Sequence, residues 1–200
     1  MILKRIPDNL KTDINMFHSA RKDNKVLFFS ADSGMGQTYA ALSYCAENKD
    51  SLYFSFRNVC TELALKTFAE RYPDIFKDCT TWAAFFDCLK IYGKEKRPTV
   101  FFDDVGERND KTDFYAALKK FSEESNSDVL VVLIGRPWER VEIPCQTISI
   151  TLYSTQEIAE TPSVSDKDSV DIFCLSAGIT ELLSVYDTSI SFEENFFSAA

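Results

Sequence analysis

KVLFFSADSGMGQTYAALSY, residues Lys25 to Tyr44, decides the fold. The apolar run Val26 to Phe29 leads into a small-residue turn, Ser30 to Gly36, and a helix-forming segment begins near Gln37. Strand, loop and helix in that order aim consecutive loop amides and the positive end of the helix dipole at one point, which suits a phosphate. Against the P-loop pattern G-x-x-x-x-G-K-[ST], the segment from Ala31 to Thr38 keeps the second glycine, Gly36, and the hydroxyl residue, Thr38.

The two mismatches bear on function. Ala31 stands at the first glycine position, and a Cβ removes cheap access to positive φ, so a reshaped loop is expected. Gln37 stands at the lysine position and carries no charge for the β- and γ-phosphates. A charge-assisted hydrogen bond contributes about 1.5 to 3 kcal/mol, against about 1 for a neutral one, so a nucleotide would bind less tightly by about one or two powers of ten. Gly34 and Gly36 still let amides approach phosphate, and the Thr38 hydroxyl still suits Mg²⁺. Asp32, Ser33, Gly34, Met35, Gly36, Gln37, Thr38 and Tyr39 are the candidate nucleotide contacts. The competing reading is a glycine-containing turn with no ligand.

Working outward, Pro98 introduces TVFFDDVGER. Thr99 to Phe102 run without alternation into Asp103 and Asp104, as in a central parallel strand buried on both faces. Carboxylates are costly to bury, so the pair belongs at the ligand-binding edge of the sheet. In a P-loop protein the first such acid holds the Mg²⁺ water shell and the second polarises the attacking water; here the second is Asp104 rather than a glutamate. The alternative is that both acids merely start a loop or cap a helix. Asp128 to Ile134 reads as another buried strand ended by Gly135 and Arg136. Arg136 either reaches a γ-phosphate or pairs with a surface acid.

The remaining elements follow from periodicity. Leu10, Ile14 and Phe17 mark a helix over Asp8 to Ala20, and Leu52 to Phe56 is a short aromatic strand. Thr61 to Tyr72 is a helix with Leu63, Ala64 and Phe68 on one face, ended by Pro73. Thr80 or Thr81 caps a helix from Trp82 to Tyr92, closed by Gly93. Asp113 to Glu124 is a helix and Cys145 to Leu152 a fifth strand. Strands alternating with helices predict an α/β fold with a mostly parallel five-stranded sheet.

Hydrophobic residues make up 45% of the chain and 17 are Phe, enough for a large aromatic core in one domain with at most a small appendage. The net charge of −9 argues against broad nucleic-acid affinity. The six cysteines lie scattered with no C-x-x-C pair, as reduced core thiols of a cytoplasmic protein do. No apolar run reaches about 18 residues, so no membrane span is expected. His18 is the single histidine, and with no cysteine pair beside it a zinc site lacks its ligands.

Together, TTWAAFFDCL (Thr80 to Leu89), FFDDV (Phe101 to Val105), FYAALKKF (Phe114 to Phe121), VLVVLIG (Val129 to Gly135), ISITLYSTQE (Ile148 to Glu157) and SAGITELLSVYD (Ser176 to Asp187) resemble the prokaryotic AAA+/STAND-type P-loop ATPases of the archaeal-type ATPase family. The resemblance implies a three-layer P-loop NTPase core over 1–159, a linker over 160–168 and a partial helical lid over 169–200. It implies ATP with Mg²⁺, held by Gly34, Gly36 and Thr38 as the phosphate loop and by Asp103 as the Walker B acid. Family members continue into a further C-terminal domain, so it also implies a shortened chain or a piece of a longer one. This sequence departs from the family at Ala31, Gln37, Asp104 and Gly135-Arg136, each of which touches phosphate binding or hydrolysis.

The expectation is an ATP-binding domain with weak or lost hydrolysis, in which Asp104 and Arg136 are the candidate catalytic residues. An active ATPase, and a protein-interaction module on a decayed fold, are the alternatives. Phe192, Phe196 and Phe197 in the short lid would leave an apolar patch, and with it a surface for self-association or a protein partner.

Overall fold

A computed structural model describes residues 5–19, 25–106, 111–124, 128–139, 141, 143–150, 153–160, 164–177, 179, 186–187 and 189–199. Five strands, β1 (Val26–Ser30), β2 (Leu52–Ser55), β3 (Thr99–Asp103), β4 (Leu130–Gly135) and β5 (Gln146–Ser149), form one sheet in the order β2-β3-β4-β1-β5. Every pairing is parallel, so the sheet is wholly rather than mostly parallel.

Among the described residues the helices are α1 (Arg5–Ser19), α2 (Gln37–Glu47), α3 (Thr61–Arg71), α4 (Pro73–Phe76), α5 (Trp82–Glu95), α6 (Thr112–Glu124), α7 (Thr155–Ala159), α8 (Asp166–Ser176) and α9 (Phe192–Ala199). They cover both faces, because alternate residues of each buried strand point opposite ways. Val26 and Phe28 of β1 join Phe54, Phe102 and Leu133 in a core roofed by α3 to α6. Leu27 and Phe29 join Phe101, Val132 and Ile134 in a second core, against α1, α2, α7 and α8.

The first core is aromatic. Phe54 lies 4.6 to 5.9 Å, centroid to centroid, from Phe68, Tyr72, Phe76, Phe85 and Phe102, mostly edge to face. Such pairs add about 0.5 to 1.5 kcal/mol each beyond burial. This rigid slab fixes β2 against β3, and so fixes where the strand ends emerge.

Several boundaries differ from expectation. Pro73 starts α4 instead of only ending α3, since proline is well suited to a first helical turn. Gly93 is buried inside α5, which continues to Glu95, while Thr81 caps its start by accepting from Ala84 N–H. Leu63 is exposed, whereas Ala64 and Phe68 are buried. β5 ends at Ser149 and its side chains are largely outside the core, as befits an edge strand. α8 starts at Asp166, within the stretch read as a linker, because Ser165 and Asp168 form a capping box. Ile172 of α8 packs into the same core as Leu27. The lid stretch SAGITELLSVYD, Ser176 to Asp187, falls mostly on residues outside those described, as do the side chains of Phe17, Phe196 and Phe197. No helix among the described residues is long and apolar enough to cross a membrane.

Candidate phosphate-binding cleft

The carboxyl ends of β1, β3 and β4 and the start of α2 surround a cleft of about 740 Å³. Open parallel sheets bind ligands at this edge. The β1–α2 loop forms one wall. Gly34 and Gly36 hold φ of 80° and 86°, the left-handed region that glycine enters without steric cost. Ala31 needs no such freedom: it is buried, its N–H donates to Gly135 O at 3.2 Å, and the left-handed turns fall later in the loop. The alanine therefore leaves the loop intact, contrary to the reshaping expected from sequence.

Gln37 folds back over this loop. Its Nε2 donates to Ala31 O at 2.9 Å and to Asp32 O at 3.1 Å, using both amide protons and fixing which end of the amide faces the carbonyls. The side chain that stands in the lysine position braces the loop and keeps no proton for an anion. Met35 is buried, so its side chain belongs to the core, and Asp32 contributes its carbonyl to the brace. Ser33, Gly34, Gly36, Gln37, Thr38 and Tyr39 do line the cleft.

α2 begins with Gly36 as its cap and no side-chain cap hydrogen bond, and its first turn holds no acid. α5, α7 and α8 each have a hydroxyl cap. The first-turn amides of α2 thus leave their positive end to the cleft.

Thr38 and Asp103 close the floor. Thr38 Oγ1 donates to Asp103 Oδ2 at 2.6 Å, Tyr53 OH donates to the same oxygen at 2.6 Å, and Asp104 N–H donates to Oδ1 at 2.8 Å. Three donors fix the orientation of this buried carboxyl group. Burial, and then the hydrogen bond to Asp103, push the Tyr53 phenol well above its ordinary pKa, so it stays a donor. Thr38 gives its proton to Asp103 and keeps its oxygen lone pairs, so the pair fits a hard cation such as Mg²⁺. Among the described residues no cluster of three or more His, Cys, Asp or Glu could hold a metal, and a Mg²⁺ on Thr38 and Asp103 would fill the rest of its shell with water or the oxygens of a bound ligand.

Asp104 points an exposed side chain at the cleft from a backbone with φ 60°, a conformation that Asp tolerates better than most residues. The buried Lys111 Nζ donates to Asp104 O at 2.7 Å and lies 4.8 Å from the Phe56 ring centroid, pinning the turn. Arg136 reaches the opposite rim, its guanidinium 5.5 Å from the Trp138 ring centroid, while its backbone N–H donates to Glu139 Oε2 at 2.8 Å.

No protein-family model and no curated protein matches the chain. The cleft brings together Thr38, Asp103, Asp104 and Arg136, which sequence reasoning singled out, and adds Tyr53 and Arg57, which it missed. Tyr53 reads as one more aromatic of a buried strand, and Arg57 as an ordinary loop charge.

Proposed function

We propose that this chain is an ATP-binding domain of the P-loop type, a relative of the AAA+/STAND archaeal-type ATPases, whose hydrolysis is weak or lost. The supporting observation is the division of labour between Gln37 and Thr38. Thr38 keeps its contact with Asp103, while Gln37 has both amide protons committed to Ala31 and Asp32 carbonyls. Phosphates would lie on the amides of the loop and the first turn of α2, where the dipole favours negative charge.

Thr38 and Asp103 would hold Mg²⁺, which when bound neutralises charge on the phosphates. In this reading Asp104 would accept a proton from an attacking water and Arg136 would contact an oxygen of the terminal phosphate. What is lacking is a charged donor on the loop itself. Loss of one preorganised donor commonly slows turnover by about a hundredfold or more.

Calorimetric titration of ATP and ADP with Mg²⁺, beside a Gln37→Lys variant, tests this reading. Micromolar binding by the wild type with negligible turnover, and tighter binding with new hydrolysis in the variant, is the expected pair of results. Absence of heat from both proteins would replace the proposal with a module that binds protein on a decayed fold.

A further inference from the structure

Arg57 follows β2, two residues beyond Ser55, which pairs with Asp103 in the sheet. It lines the same cleft as Thr38 and Asp103. Its backbone N–H donates to Ser55 Oγ at 3.2 Å, which turns the chain at the strand end. Its side chain is exposed, and among the described residues its guanidinium has no hydrogen-bond or ion-pair partner. Exposed cations elsewhere are mixed: Lys96 pairs with Asp50 and Arg97 with Asp128, whereas among the described residues the ammonium groups of Lys77 and Lys119 stand alone, so it is the place of Arg57 in the cleft that sets it apart.

The charges around the cleft make this position informative. The chain carries a net charge of −9, of which Asp103 and Asp104 put two acids beside the cleft. A phosphate chain entering there meets amides, a hydroxyl and the helix dipole, and needs a full positive charge to offset the carboxylates. Gln37 supplies none. Arg136 flanks Asp104 on the β4 side with its guanidinium face against the Trp138 ring, which orients it and leaves its edge donors free. Arg57 flanks Asp103 on the β2 side, with all five of its donors uncommitted.

We infer that Arg57 is the principal phosphate-binding cation of this cleft, taking over from the β2 side the charge that Gln37 does not provide, for a ligand of the triphosphate class. This rests on the ATP-binding reading. A planar guanidinium grips two phosphate oxygens at once, which an ammonium cannot do, so the site should prefer arginine to lysine here.

The test is titration with ATP and with inorganic tripolyphosphate, each with Mg²⁺, into the wild type and the Arg57→Ala, Arg57→Lys and Lys66→Ala variants. Lys66, on α3, pairs with Glu70 outside the cleft and controls for net charge. Arg57→Ala should weaken both ligands about ten- to hundredfold and flatten the salt dependence of binding. Arg57→Lys should recover only part of the loss, and Lys66→Ala should bind as the wild type does. Equal losses for both ligands assign Arg57 to the phosphates, whereas loss for ATP alone would move it to the nucleoside and overturn the inference. Wild-type binding that survives Arg57→Ala would refute the role of Arg57 and leave the ATP-binding reading standing. Failure of the wild type to bind either ligand would remove both.

Discussion

Tyr53 donates its phenolic proton to the oxygen of Asp103 that also accepts from Thr38, so β2 braces a carboxylate carried by β3. The bond ties stability to alkaline pH. Burial raises the phenol's folded pKa above the unfolded value of about 10, so its stabilisation is complete below that pH and is lost as pH rises past it. Urea unfolding of the wild type should weaken above about pH 10, and Tyr53→Phe should weaken less steeply over the same range. Parallel curves for the two proteins would show that the bond has no such role.

Asp103→Ala should be the more damaging change. It leaves the buried Tyr53 hydroxyl and Thr38 without their acceptor, at about 1 to 3 kcal/mol for an unsatisfied buried group. Chemical denaturation should register that loss, and ATP affinity should cease to depend on Mg²⁺. A variant of unchanged stability would mean that the three donors find other partners.

Gln37→Ala should loosen the loop without unfolding the domain. Hydrogen exchange at residues 32–36 should accelerate, because the Ala31 and Asp32 carbonyls lose their brace, while amides of β1 and β4 keep their protection. Gln37→Lys should restore slow exchange, since an ammonium can donate to the same carbonyls. Identical loop exchange in the alanine variant and the wild type would contradict the bracing role.

Gly34→Ala and Gly36→Ala should each cost about 1 to 2 kcal/mol, the penalty for placing a Cβ in the left-handed region. Ala31→Gly should bring no gain in ATP affinity and should lower stability by about 0.5 to 1 kcal/mol through chain entropy. Tighter binding by Ala31→Gly would show that the missing first glycine matters after all.

The strands were legible because burial on both faces writes itself as unbroken apolar runs, VLFF and TVFF among them. The two acids ending β3 were legible for the converse reason: charge cannot continue into the core. Gly34 and Gly36 pointed correctly to the turn. Other features depend on neighbours that no local window contains. Tyr53 acts through its hydroxyl while its ring behaves as core. Lys111 is buried because the Asp104 carbonyl and the Phe56 ring receive it, although its place before an amphipathic helix reads as surface. Gly93 reads as a stop signal, yet α5 continues past it. Strand order is invisible locally, and it decides that Arg57 and Arg136 flank the same acids.

β1 and β3 do not touch, for β4 lies between them. An emerging chain that has made Thr38, Tyr53 and Asp103 still has no cleft, because the wedge that spaces them is encoded later. Inserting β4 closes long stretches of chain at an entropic cost that slows folding. The binding surface therefore exists only once β4 is in place. A ligand of this cleft should leave the refolding rate unchanged and retard unfolding of the entire molecule, acting as a lock on the finished structure.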